Sequence, residues 1–168
     1  MGMIQQALFL TRTDGYNSEA MEYDVQLVQT TPQLTAVVRT QAKQVDLPRV
    51  VPQLCGEVWS FCKTLQMPRP GRHLALYLDN VMNIEVGVEV YQVFAGNNRV
   101  VCSSLPTGTA VTAAHWGPYN KLGNAHDAVR DWSAKNGHAL AGASWEIYGH
   151  WSDDLAKLRT DVFWLLKT

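Results

Sequence analysis

The stretch Ala143-Ser144-Trp145-Glu146-Ile147-Tyr148-Gly149 sets one carboxylate among aromatic and aliphatic neighbours. Its apolar flanks and its period of two predict a strand. Glu146 and Tyr148 then share one face, and Trp145 and Ile147 share the other. An ionised carboxylate is costly to bury unless it is paired or hydrogen-bonded. Two readings are open at this point: a side of the sheet that faces solvent, or a carboxylate at the base of a pocket that receives a cation. The second would yield useful affinity. A cation about 4 Å from a carboxylate gains ~4 kcal/mol at an effective dielectric near 20. Each good contact with an aromatic face adds roughly 0.5–2 kcal/mol.

Other residues fit the same chemistry. Leu74-Ala75-Leu76-Tyr77 parallels Trp145-Glu146-Ile147-Tyr148, which puts Tyr77 and Tyr148 on the face of Glu146. Trp59 borders the apolar stripe of a helix, a position that suits either a groove wall or core packing. Trp116 and Tyr119 flank Gly117-Pro118, and loops concentrate ligand contacts. Tyr91 is placed on a strand face with Glu89 and Gly87, and the bare Gly87 suggests that something approaches its backbone. Trp132 is expected in the core, while Trp151 and Trp164 are left unassigned. His115, His126, His138 and His150 show no metal-ligand spacing, and Asp153-Asp154 reads as a turn or helix start. No Gly-x-Ser-x-Gly, His-Glu-x-x-His or phosphate-cradling glycine loop occurs. No metal and no cofactor are expected.

The elements that position these residues form one pattern written twice. Val25 to Val38 alternates as a strand interrupted at Pro32. Val51, Leu54, Cys55, Val58, Phe61, Cys62 and Leu65 recur at helical spacing. His73 to Leu78 and Val86 to Phe94 follow as strands around an Asp79-Asn80 turn, and Gly96-Asn97-Asn98 closes the half. In the second half, Val100 to Cys102 and Thr109 to Ala114 are expected to pair around Leu105-Pro106-Thr107-Gly108. A helix opens at Gly117-Pro118 with the stripe Leu122, Ala125, Val129 and Trp132, and Gly137 suits its C-cap. Trp145 to Tyr148 and Val162 to Leu166 are the last strands. Pro32 to Val37 aligns with Pro106 to Val111. The expectation is an N-terminal extension over 1–22 and one domain over 23–168, with halves at about 23–96 and 99–168. Neither half buries enough to stand alone, so the two merge, and their joint is a natural place for a groove.

Composition narrows the function. The chain has 168 residues, with 14 Lys+Arg against 15 Asp+Glu. That balance offers no basic field for nucleic acid. Charged residues make up 17% against 46% hydrophobic, with six tryptophans, so the chain is not disordered. No apolar run reaches a membrane-spanning length, and the first ten residues lack the basic and long apolar regions of a signal peptide. Cys55, Cys62 and Cys102 form no Cys-x-x-Cys pair and suit a reducing cytoplasm.

Four segments resemble one family. His115-Trp116-Gly117-Pro118-Tyr119 is similar to the His-x-Gly-Pro-Tyr segment before the second helix of the GyrI-like small-molecule-binding domains. Trp145-Glu146-Ile147-Tyr148-Gly149 resembles their glutamate strand. Leu158-Arg159-Thr160-Asp161-Val162 resembles the start of their last strand, and Glu85-Val86-Gly87-Val88-Glu89-Val90 a strand of their first half. The match runs from about Tyr23 to Lys167. The resemblance implies an α+β fold of duplicated β-α-β-β units about a pseudo-two-fold axis, with a curved antiparallel sheet, two main helices and a central groove. It implies a site for hydrophobic, often cationic aromatic molecules in which Glu146 takes the strand-glutamate position, Tyr148 and Tyr119 match flanking motif positions and Trp116 fills the variable slot; Tyr77, Trp59 and Tyr91 join these ligand-binding candidates from the repeat, the helix rim and the strand face. In drug-responsive transcription activators of the family the strand glutamate meets the cation. Similar stand-alone proteins hydrolyse cyclopropane-bearing alkylators, which would make Glu146 a general base with Tyr148 or Tyr119 donating to the oxyanion. Others protect DNA gyrase, a protein-interaction role. No DNA-binding module precedes Tyr23, so direct DNA binding is not expected. The chain is expected to act as a monomer or homodimer. Glu89 stands where the family strand carries proline, and either adds a carboxylate near the groove or faces solvent.

Overall fold

The computed structural model describes residues 22–168. The N-terminal extension expected over 1–22 lies outside the described residues apart from Glu22. The first half runs β1 (Gln26–Thr30), β2 (Leu34–Gln41), α1 (Leu47–Thr64), β3 (His73–Tyr77) and β4 (Asn83–Glu89). The second runs β5 (Val100–Ser104), β6 (Gly108–Trp116), α2 (Leu122–Lys135), β7 (Leu140–Tyr148) and β8 (Arg159–Leu166). The eight strands form one antiparallel sheet in the order β1-β6-β8-β7-β3-β4-β2-β5. The fold is α+β with two duplicated β-α-β-β units, β2-α1-β3-β4 and β6-α2-β7-β8, as expected.

Two strand assignments are corrected. Val100–Ser104 does not pair with Gly108–Trp116; β5 pairs with β2, and β1 pairs with β6. The span interrupted at Pro32 is therefore two strands in different parts of the sheet. Each half lends its first strand to the other. The crossing connections are tied by Thr30, whose hydroxyl accepts from the Gly108 N–H at 3.0 Å and donates to the Pro106 carbonyl at 3.0 Å. Leu105 N–H donates to the Gln33 carbonyl at 3.0 Å. Hydrophobic alternation reports faces and not partners, so this exchange left no local signal.

The β2–β6 alignment was also one residue out. Val86 pairs with Ala75 and Val38, and Val162 pairs with Glu146 and Ala113. Val38 therefore matches Ala113, and Ala36 matches Val111. A slip of one residue reverses every face. Val37 accordingly packs on the face opposite to Val111, with Leu74, Trp145 and Ile147.

Both helices pack on one face. From α1, Val51, Leu54, Cys55, Val58 and Cys62 are buried; from α2, Leu122, Ala125, Val129 and Ser133. The stripes superpose residue for residue, with His126 standing where α1 has Cys55. Burial pushes the Cys55 thiol up to about 12, so it behaves as a small apolar side chain. Helix α2 ends on Gly137 at φ +73°, with Gly137 N–H on the Ala134 carbonyl and His138 N–H on the Ser133 carbonyl. Only glycine adopts that φ without strain. Gly87 serves closeness instead: a Cβ there would collide with the Ala36 carbonyl. What approaches its backbone is the neighbouring strand.

Candidate functional site

The central strand pair β3–β7 sets Ala75 directly opposite Glu146. The repeat that aligns Ala75 with Glu146 also aligns Tyr77 with Tyr148, so the pseudo-two-fold axis passes between Ala75 and Glu146. Alternation sends Ala75, Tyr77, Glu146 and Tyr148 to the helix-bearing face. The methyl of Ala75 leaves room for the glutamate, and the two symmetry-related tyrosines reach the same oxygen. Tyr148 Oη donates to Glu146 Oε2 at 2.5 Å and Tyr77 Oη donates at 3.3 Å. Glu146 is 4% exposed.

Its other oxygen is taken from the helix side. His126 Nε2 lies 2.7 Å from Glu146 Oε1, and Trp164 Nε1 donates to His126 Nδ1 at 2.9 Å. An indole N–H only donates, so His126 Nδ1 must accept. That assigns the ring proton to Nε2, which donates to the carboxylate. Three uncharged donors therefore converge on two carboxylate oxygens. Among the described residues no lysine or arginine bonds to Glu146. The guanidinium of Arg130 lies 5.4 Å from the centroid of Trp164 and pairs with Asp127. Burial first, and the Glu146 charge second, push the Tyr77 and Tyr148 hydroxyls well above the ordinary tyrosine value. Both stay protonated and keep donating.

Tyr119 joins this group. Its ring meets Tyr148 edge-on at 5.8 Å and 89°, and burial raises its hydroxyl. The His-Trp-Gly-Pro-Tyr segment places it. His115 is buried, and Nε2 donates to the Pro118 carbonyl at 3.1 Å. Its Nδ1 then accepts from Tyr23 Oη at 2.9 Å. Gly117 takes φ +132° and donates to the Leu158 carbonyl. The chain turns there, and Tyr119 opens the 3-10 turn Tyr119–Lys121 that leads into α2. The helix itself starts at Leu122, later than Gly117-Pro118.

Trp59 lies on the same face, on α1 beside His73, with ring centroids 5.5 Å apart. Trp116 and Tyr91 are not brought to Glu146. Trp116 is 51% exposed. As the strand neighbour of inward-facing His115, it projects from the opposite face of the sheet. There it carries Arg159 over its ring and borders a surface cleft of about 440 Å³ with Arg72, His150, Lys157 and Asp161. Tyr91 falls beyond the end of β4, is 64% exposed, and covers Gly71. Glu89 neither joins the groove nor faces solvent. It is buried on the opposite face under Arg72, whose backbone N–H, Nε and Nη2 all donate to it.

His126 and Trp164 are the members of the site that sequence reasoning missed. His126 has no metal-ligand spacing to mark it. The signal that would have found it is its place between Leu122 and Val129 on the buried stripe of α2. Trp132, expected in the core, is half-buried and stacks on His138 at 5.6 Å and 9°.

No family profile and no curated protein matches the chain. Solved structures do. The EcmrR C-terminal domain is similar at TM-score 0.71 and 22% identity, covering 88% of this chain and 99% of that one. The chain has the GyrI-like fold. SAV2435, solved bound to tetraphenylphosphonium, shares that fold at TM-score 0.62 and 13% identity, over 88% of this chain and 94% of its own. A hydrolase from Listeria innocua does so at TM-score 0.56 and 9% identity, over 85% and 91%. Within this GyrI-like fold, Glu146 occupies the central strand pair. No helix among the described residues is long and apolar enough to cross a membrane.

Proposed function

We propose that this protein binds lipophilic organic cations over Glu146. The observation that carries the reading is the manner in which Glu146 is held. Tyr77, Tyr148 and His126 complete the hydrogen bonds of the buried carboxylate, and none of these donors sets a positive charge against it. A quaternary cation has no donor to offer and needs none. It gains from the field of the carboxylate in a shielded site and from aromatic faces around it. Tyr119, Tyr148 and Trp59 supply those faces. The tetraphenylphosphonium bound by SAV2435, which shares the fold, belongs to this ligand class. Titration with tetraphenylphosphonium, followed by tryptophan fluorescence, tests the reading. Glu146→Gln should weaken binding about a hundredfold, the effect of losing roughly 3 kcal/mol of charge attraction. Equal affinity in the two proteins would refute the charge role.

A second reading, hydrolysis of strained electrophiles, draws on the Trp164–His126–Glu146 chain. That chain orients the carboxylate, which would itself take the proton of the water that attacks the strained carbon. Incubation with a cyclopropane-bearing alkylator should then yield its hydrated product, and recovery of the compound unchanged at many-fold excess would dismiss this reading.

A further inference from the structure

Two strand positions along from Glu146, the helix-bearing face carries polar groups with no partner. The N–H of Trp59, the Nδ1 of His73 and the hydroxyl of Thr160 are buried without a hydrogen bond among the described residues. They come from α1, β3 and β8, and they converge on one rung of the sheet. Thr160 pairs directly with Tyr148 in the β7–β8 ladder. Leu74 pairs with Ile147, so the next rung of that ladder sets His73 beside Tyr148 on its other flank. Trp59 covers His73 with an interplanar angle of 41°.

Buried polar atoms are satisfied in the great majority of cases, and leaving one unpaired costs the desolvation of that group. Three on one rung, next to the proposed ligand site, add a polar end to its aromatic surroundings. The chemistry of that end is uncharged. An indole N–H only donates, so it requires an acceptor. Burial, opposed by a weaker contact with the Gly87 backbone, holds His73 below the ordinary histidine value, so its ring adds no positive charge. Such a locus suits a neutral oxygen and supplies no positive charge to draw an anion.

We infer that Trp59 and His73 form a second ligand subsite, which takes an uncharged oxygen acceptor, a carbonyl or a hydroxyl, on the molecule whose cation lies over Glu146. The inference rests on the cation-binding reading and gives it a length. Two residues of strand span roughly 7 Å, so the favoured ligand carries its cation and its oxygen about that far apart.

The test uses a matched pair of cations, (4-benzoylbenzyl)trimethylammonium and (4-benzylbenzyl)trimethylammonium. They differ only in a bridging ketone against a methylene. The whole chain should bind the ketone about five- to tenfold more tightly, as expected for one hydrogen bond made in a buried site. Trp59→Phe keeps an aromatic wall but removes the N–H, and should bind the pair equally. The unsubstituted protein supplies an independent readout: the indole N–H proton resonance of Trp59 should move downfield with the ketone and not with the methylene compound. Equal binding of the pair by the unsubstituted protein, or a preference that survives Trp59→Phe, overturns the subsite alone. Failure of both compounds to bind overturns the cation reading and the subsite with it.

Discussion

Glu146 and Glu89 lie in the same sheet, are 4% and 5% exposed, and are held in opposite ways. Glu89 is gripped by Arg72 through its backbone and guanidinium, so its charge is closed inside the protein. Glu85 is treated alike, by Arg39 at 2.9 Å and Ser103 at 2.7 Å. Glu146 receives two phenols and an imidazole. Its hydrogen bonds are complete and its charge is open. The difference teaches that burial of a carboxylate does not by itself mark a site. The proposed site differs in being buried without an internal cation, at a place where side chains from both halves meet.

The comparison breaks most sharply if Glu146 is given what Glu89 has. His126→Lys supplies an ammonium from the position that already touches the carboxylate. It should depress tetraphenylphosphonium affinity about a hundredfold, as fully as removing the charge would, while Glu89→Gln leaves that affinity unchanged. Fluorescence titration of the two variants reads both results.

Next in size is the reverse change on the other face. Arg72→Leu leaves Glu89 buried with its guanidinium bonds lost. Arg72 is itself half-exposed, so water replaces part of the loss, and urea denaturation should show a destabilisation of about 1–2 kcal/mol. Cation affinity should not move. Smaller again is Trp164→Phe, which removes the donor that fixes the His126 tautomer. The carboxylate then loses orientation and not charge, and affinity should fall severalfold by the same titration.

The Glu146 face was legible in the sequence because two signals agreed there. A period of two put Tyr148 beside Glu146, and the internal repeat added Tyr77 on the same face. The helix stripes were legible for the same reason. Trp116 shows where such reasoning fails. Its nearness to Gly117-Pro118 suggested a ligand contact, yet one residue of alternation from His115 sends it to the other side of the sheet. Tyr91 failed because β4 ends at Glu89, where the pairing partners run out, and no residue type announces that. The exchange of β1 and β5 between halves is a choice among distant partners. It depends on how two connections cross at Thr30 and Gly108, which alternation within a strand does not record.

The smallest effect concerns pH. Burial holds His115 and His73 below the ordinary histidine value of 6.5. The unfolded chain therefore binds more protons than the folded one as pH falls below about 6.5, and stability drops in that direction. Thermal melting between pH 7 and pH 5 should show Tm declining by a few degrees, of the order expected for a chain this size. His115→Gln should flatten the decline.

The central claim is that an uncompensated negative charge selects the ligand. Calorimetric titration of the unsubstituted protein with tetraphenylphosphonium and with triphenylphosphine oxide, a neutral molecule of related shape, tests it most directly. The cation should bind about a hundredfold more tightly. Equal affinities for the two would contradict it.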